Sequence, residues 1–216
     1  MKLPREFYNR PTLDVARDLI GKALVHVTPA GRASGLIVEV EAYIGEADPA
    51  CHAAPGPTKR NAPLYGPPGI AYVYFNYGMH YLVNAVTEGV GAPAAVLIRA
   101  LEPVEGMALM RKRRARGTQK RAADFDQNGL CRGPGNLTKA LGISLPQNGL
   151  DLTGAELFIE TSPVARDFPI AWGPRIGISV GTEQAWRCFV PGHPCVSGRA
   201  ALNALRPPLA DVASTR

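Results

Sequence analysis

The stretch Gly35–Gly45, Gly-Leu-Ile-Val-Glu-Val-Glu-Ala-Tyr-Ile-Gly, constrains this chain most. Apolar and β-branched residues recur between two bounding glycines, so it reads as a strand. Successive side chains of a strand point to opposite faces. Leu36, Val38, Val40, Ala42 and Ile44 then form one apolar face, and Ile37, Glu39, Glu41 and Tyr43 form the other. Two carboxylates and an aromatic ring thus share one face of a strand whose opposite face is suited to a core. For a strand taken alone, a solvated acidic face is the commoner arrangement. The alternative is a carboxylate held rigidly beside a flat ring, which suits a reaction on a flat substrate. The rest of the chain decides between them.

A chain of 216 residues fits one large domain or two small ones. No repeat, heptad or linker divides it, so residues 1–216 read as a single domain. At this size roughly 70% of the unfolded chain's surface can be buried, so a core needs neither disulfides nor a metal. Lys and Arg outnumber Asp and Glu by 24 to 18, which favours a polyanionic partner, nucleic acid or an anionic membrane surface. The four cysteines, Cys51, Cys131, Cys188 and Cys195, show no C-x-x-C spacing. Cys51 lies next to His52 and Cys195 near His193, but paired ligand spacing is lacking, so no metal site is expected. Reduced thiols in a cytoplasmic protein are the simpler account. The first residues carry no apolar run of signal-peptide type, and no segment approaches about 18 apolar residues, so neither secretion nor a membrane span is expected.

Pro11 to Lys22 reads as a helix, with Leu13, Ala16, Leu19 and Ile20 at helical spacing and Gly21 near its end. Ala23 to Thr28 reads as a strand ahead of the Gly35–Gly45 strand. Residues 46–69 show no period and are punctuated by proline and glycine. A loop of that length is functional or disordered, and Lys59-Arg60-Asn61 makes phosphate contact plausible. Ile70 to Tyr77 reads as a strand with Ile70, Tyr72, Tyr74 and Asn76 on one face and Ala71, Val73 and Phe75 on the other. Four of its last six residues are aromatic, and Tyr77, beside Gly78, is the least suited to a core.

Tyr81 to Thr87 and Ala94 to Leu101 read as further strands. Asn84 sits among apolar neighbours, so its amide is either structural glue or a reader of a ligand edge. Arg99 ends an apolar run and needs a carboxylate partner or a site mouth. A helix is expected from Pro103 to about Arg116, closing on the cations of residues 111–116, which suit a helix C-terminus. Gly133-Pro134-Gly135 reads as a tight turn feeding a helix to Leu141, whose free N–H groups could hold a phosphate. Strand-like segments follow around 156–160, 175–180 and 186–190. Residues 199–216 read as a tail, frayed from about residue 200.

Together these segments resemble the alkyladenine (3-methyladenine, methylpurine) DNA glycosylase family. The resemblance rests on Val38-Glu39-Val40-Glu41-Ala42-Tyr43, His52, Tyr72 to Met79, Leu97-Ile98-Arg99-Ala100-Leu101-Glu102-Pro103 and Gly133-Pro134-Gly135, in that order. It covers most of the chain, from Leu3 to Pro194. It implies an α+β fold, a curved antiparallel β-sheet core surrounded by helices, without a helix-hairpin-helix. It implies a monofunctional, monomeric enzyme that removes alkylated and deaminated purines from duplex DNA, with no cofactor and no lyase step.

The resemblance also assigns roles. Glu41 matches the general base and Arg99 the arginine that helps hold Glu41 and the attacking water. Tyr43, His52 and Tyr74 would surround the flipped base, with Asn84 crowding the exocyclic amine of guanine. Tyr77 would be the wedge that fills the vacated stack. DNA contacts are implied for Thr58, Lys59, Arg60, Leu97 and Lys139. Flipping costs a few kcal/mol, and aromatic stacking worth about 1–3 kcal/mol per base offsets it.

Two departures bear on DNA contact: Lys59 stands where a proline is usual, and Asn136 where a lysine often follows the glycine turn. A non-catalytic DNA-binding protein on the same fold would share the basic charge and the tyrosines. It would gain nothing from a carboxylate facing a polyanion. A glycosidase of free nucleosides would have no use for the wedge tyrosine or the basic loop. Glu39 shares the face of Glu41, where it is either structural or tunes Glu41 through like charge.

Overall fold

The structure, a computed structural model, describes residues 1–162, 168–199 and 203. Two short helices open the chain, α1 (Arg5–Tyr8) and α2 (Thr12–Leu19). Val15, Ala16 and Leu19 bury one stripe of α2 in the core. Eight strands follow: β1 (Ala23–Thr28), β2 (Gly31–Ile44), β3 (Ala71–Asn76), β4 (His80–Val86), β5 (Ala94–Glu105), β6 (Leu157–Glu160), β7 (Ala171–Gly173) and β8 (Arg187–Phe189). Helices α3 (Met107–Ala115) and α4 (Pro134–Leu141) fall between β5 and β6. The strands form one curled antiparallel sheet in the order β3-β4-β5-β2-β1-β6, and β8 joins it through β2 and carries β7. The fold is α+β, as expected.

β2 is the hub. Its first half pairs with β1, from Gly31↔Thr28 to Leu36↔Ala23. Its second half pairs with β8, from Glu39↔Phe189 to Glu41↔Arg187. β5 lies along its other edge from Ser34 to Ile44. The handover falls at Val38, whose carbonyl accepts from Val190 N–H at 3.0 Å. There the pairing with β5 is also irregular: Ile37↔Leu101 is followed by Glu39↔Ala100 and then Val40↔Ile98. Val38 and Arg99 are left without direct partners, one extra residue on each strand, and bulges of this kind re-aim side chains.

This irregularity corrects the simple alternation. Ile37, expected beside Glu39 and Glu41, lies in the main core with Val38, Val40 and Ala42. Leu36, expected with the valines, packs instead in a second cluster with Ala23, Val25 and Phe158. Glu39 and Glu41 are both fully buried, so the solvated acidic face does not exist.

Other elements depart from expectation for local reasons. Pro103 does not begin a helix. β5 runs on through it to Glu105, with Pro103 opposite Gly35, and α3 starts only after Gly106 turns the chain at φ 76°. Residues 175–180 form a loop rather than a strand: Ile176 N–H donates to the Glu41 carboxylate of β2 and its carbonyl accepts from Arg99 of β5. β7 has only three residues, too few to show a period. The long loop 46–69 is held by buried Asn61, whose Nδ2 donates to the carbonyls of His52 and Gly56 at 2.8 and 2.9 Å. The expected tail lies outside the described residues apart from Arg199 and Asn203. Among the described residues no helix is long and apolar enough to cross a membrane.

Candidate active site

Sheet register places the candidate residues. Tyr72 on β3 stands opposite Asn84 on β4, Asn84 opposite Leu97 on β5, Leu97 opposite Glu41 on β2, and Glu41 opposite Arg187 on β8. Residues directly opposite in an antiparallel pair share a face, so these five form one row across five strands. Tyr72, Asn84 and Leu97 line a cavity of about 320 Å³, within the range of small-ligand sites. Tyr43, His52, Tyr74, Tyr77 and Arg99 also line it, with the segment Ile176-Gly177-Ile178.

Glu41 lies one layer beneath this wall. Tyr43 hydroxyl donates to its Oε2 at 2.9 Å and Arg99 Nη1 donates to the same oxygen at 3.1 Å. Ile176 N–H donates to Oε1 at 2.6 Å. Burial raises the proton affinity of Glu41, and these three donors, with Arg99 first, offset it only in part, so its pKa stays above the ordinary carboxylate value. Glu39 has the opposite balance. Burial pushes its pKa up, but Arg99, Arg187 and the Ser197 N–H together outweigh it and hold the pKa below the ordinary value. Two carboxylates on one strand thus differ in proton affinity because of what surrounds each.

Around the cavity, the rings fix one another. His52 Nδ1 and Tyr72 hydroxyl are 2.9 Å apart, and the His52 and Tyr74 ring centroids are 4.4 Å apart at 64°. Burial, then the charge of Arg60, lowers the pKa of His52 and favours its neutral form. Burial first and Glu41 second push the Tyr43 phenol far up, so it remains a donor. Asn84 is both glue and lining: its Nδ2 donates to Tyr72 carbonyl at 3.0 Å while the amide faces the cavity.

The predicted DNA-contact residues divide. Tyr77 stands at the β3–β4 hairpin tip, 80% exposed. Thr58, Lys59 and Arg60 are exposed on the loop, and Arg60 Nη2 donates to Phe75 carbonyl at 3.3 Å. Leu97 is not on an exposed face: it is buried in the cavity floor, because it shares the row of Glu41 and Asn84. Lys139 lies in the last turn of α4, away from the helix start at Pro134. Arg114 reaches that start, its Nη1 donating to Asn136 Oδ1.

Several site residues gave no sequence signal. Arg175 forms a buried pair with Asp48 at 2.6 and 2.8 Å and lies 4.7 Å from the Tyr43 ring centroid and 5.1 Å from that of Trp186. It pins the loop after β2 to the segment carrying Ile176. Ile176, Arg187 and Ser197 join the site through contacts more than 130 residues distant in sequence, which no local spacing encodes. Among the described residues no group of three His, Cys, Asp or Glu is placed to hold a metal ion, and all four cysteines are buried thiols.

This chain matches the methylpurine-DNA glycosylase family over residues 6–194. The chain belongs to that family. It is 48% identical over 202 residues to a protein of Methanocella arvoryzae, covering 92% of this chain and 96% of the relative. A protein of Chlorobium phaeobacteroides is 47% identical over 204 residues, covering 94% and 98%. One of Rubrobacter xylanophilus is 53% identical over 177 residues, covering 82% and 87%. All three have been assigned the name 3-methyladenine DNA glycosylase. Family membership makes this chain a DNA glycosylase, which acts on the N-glycosidic bond of DNA.

Proposed function

We propose that the protein removes alkylated purines, 3-methyladenine and 7-methylguanine first, from duplex DNA by hydrolysis, leaving an abasic site with no strand cleavage. Hypoxanthine and ethenoadenine extend the same reading. The observation that carries it is the buried, proton-hungry carboxylate of Glu41 directly behind a tyrosine-lined cavity.

The target base lies inside the duplex and must be flipped out to reach the cavity. Tyr77 enters the vacated stack. Tyr43, His52 and Tyr74 receive the base on their faces, and a cationic alkylated purine gains further from electron-rich rings. Glu41 accepts three hydrogen bonds and has room for one more. A water admitted at the wall of Tyr43, Arg99 and Ile176 takes that place. Its oxygen bonds to C1′ of the sugar while its proton passes to Glu41. The C1′–N9 bond breaks, and its electron pair leaves with the purine. N3- or N7-alkylation gives that purine a positive charge beforehand, so it departs neutral. Negative charge at Glu41 and Glu39 also favours the positive charge that develops on the sugar.

A protein that only bound DNA would gain nothing from burying carboxylates against a polyanion, so catalysis is the better account. The test is base release from methylated duplex DNA by wild-type protein and Glu41→Gln. Wild type releases 3-methyladenine or 7-methylguanine. The variant loses excision by at least about 10²-fold, the low end for general-base assistance, and keeps its affinity for lesion-bearing duplex. Excision at the normal rate by Glu41→Gln removes the base assignment, and no release by the wild type removes the substrate class.

A further inference from the structure

Four charged side chains stand in a buried sequence of alternating sign: Arg187, Glu39, Arg99, Glu41. In the reaction described above only the last two are placed at the attacking water, and Glu39 enters through its charge alone. Glu39 is fully buried yet completely partnered. Its Oε1 accepts from Arg187 Nε at 2.7 Å, Ser197 hydroxyl at 3.0 Å and Arg99 Nε at 3.1 Å, and its Oε2 accepts from Ser197 N–H at 2.8 Å. Arg99 completes the cluster by donating from Nη2 to Ser197 Oγ at 3.2 Å. The Nε–Nη2 edge of Arg99, one of its two edges able to clasp a carboxylate with two parallel hydrogen bonds, is therefore taken by Glu39 and Ser197, and the same Nη2 contact with Ser197 draws on the second edge, Nη1–Nη2. Only Nη1 reaches Glu41, and that group also lies 3.4 Å from Ile176 carbonyl.

We propose that Glu39, anchored by Arg187 and Ser197, is a positioning residue for excision: it holds Arg99 edge-on and takes a share of that cation's charge, so that Glu41 remains a strong base. The inference rests on the reading of Glu41 as general base. A carboxylate clasped by both arms of an arginine is a poor proton acceptor, since an adjacent cation lowers its pKa by about 1–3 units. Glu41 escapes that because Arg99 is turned away and because a second anion stands nearby. Glu41 faces Glu39 and Tyr43 of β2, Arg99 of β5, Arg187 opposite it on β8, Tyr74 of β3, and Arg175 with the Ile176 N–H of the 175–181 segment. Glu39 is the one carboxylate among them. Its like charge raises the proton affinity of Glu41, as does burial.

The sign follows. A base works when deprotonated, so excision falls as pH drops through the Glu41 pKa, which burial holds high. Removing the Glu39 charge removes the like-charge contribution and frees Arg99 to clasp Glu41. Both lower that pKa. The experiment is the single-turnover excision rate of methylated duplex against pH for wild type, Glu39→Gln, Ser197→Ala and Glu39→Gln/Arg187→Gln, with Glu41→Gln as reference.

In Glu39→Gln the acid limb should move down by about one pH unit or more and the plateau rate should fall about tenfold, as expected of a weaker base. Affinity for lesion-bearing duplex should hold. Ser197→Ala should shift the limb in the same direction by less, and it gives the reading if Glu39→Gln fails to fold. The double variant restores the charge balance but leaves Arg99 free, so its limb should stay low. An unmoved limb in folded Glu39→Gln or Ser197→Ala makes Glu39 structural only. A limb that returns to the wild-type position in the double variant assigns the effect to the Arg187 charge that Glu39 no longer balances and overturns the proposal. If Glu41→Gln excises normally, the general-base reading has failed; if it is inactive and no limb moves, only the role of Glu39 has.

Discussion

Tyr77 holds its backbone in the left-handed region, at φ 48°, with its ring in solvent. A bulky residue there costs roughly 1–2 kcal/mol, and nothing about an exposed ring returns that cost to the fold. Such strain gathers at functional positions. Asparagine tolerates the left-handed region, so Tyr77→Asn should leave unfolding stability unchanged or raise it by up to about 1 kcal/mol. The same change should weaken affinity for lesion-bearing duplex by about 5- to 100-fold, the worth of one stacked ring, and affinity for undamaged duplex by less. Thermal melts and titrations of both duplexes check it; equal losses on the two duplexes count against the wedge role. Glu39 and Glu41 show the complementary behaviour at this scale. Two identical side chains, two residues apart, have their proton affinities shifted in opposite directions because one is ion-paired to two guanidinium groups and the other to one arm of a single arginine.

At the scale of elements, the junction between β5 and α3 decides where the site arginine stands. β5 must stay in register with β2 through Glu102 and Pro103 for Arg99 to meet Glu39 and Glu41, and then the chain must reverse at once into α3. Gly106 makes that turn. Its φ is 76°, and a Cβ there would lie 2.4 Å from Arg32 carbonyl and 3.0 Å from Ala33 Cα, both backbone atoms that cannot step aside. Gly106→Ala should therefore destabilise the protein by about 2–5 kcal/mol, the left-handed strain plus overpacking. Denaturant unfolding measures it, and a loss under about 0.5 kcal/mol would mean the junction is more pliable than its geometry indicates. β2 works in a similar way. By exchanging β1 for β8 at Val38, it brings Arg187 and the segment through Ser197 against the acids from the side opposite β5.

At the scale of the whole molecule, charge is divided by depth. The buried ions of the site form neutral combinations, Arg187 and Arg99 with Glu39 and Glu41, and Arg175 with Asp48. The surplus of positive charge, +6 over the chain, lies with cations such as Lys59, Arg60, Lys112, Arg116 and Lys120, which are exposed. Salt screens exposed charges far more than buried ones. Binding to undamaged duplex should therefore lose about 10³-fold in affinity between 50 and 200 mM salt if about six phosphates are contacted. The single-turnover excision rate at saturating enzyme should change by less than about twofold, because buried ions are screened little. A chemical step that fell in parallel with binding would place the reacting charges in solvent.

The sequence by itself determined the local features: the strand that carries Glu39, Glu41 and Tyr43, the alternating faces of Tyr72, Tyr74 and Asn76, and the exposed Tyr77 beside its glycine. These are short-range properties of period, turn chemistry and residue type. The motifs it carries in order were enough to mark the family. The tertiary structure alone decided which residues meet. The row Tyr72, Asn84, Leu97, Glu41, Arg187 exists through the register of five strands, and register is set by long-range pairing that no single strand encodes. The same pairing moved Ile37 into the core, put Leu97 in the cavity floor, and brought Ile176 and Ser197 to the two glutamates. It also turned an acidic strand face, which in isolation would sit in water, into a closed and neutralised site, because a buried carboxylate persists as an ion only where cations from distant segments arrive beside it.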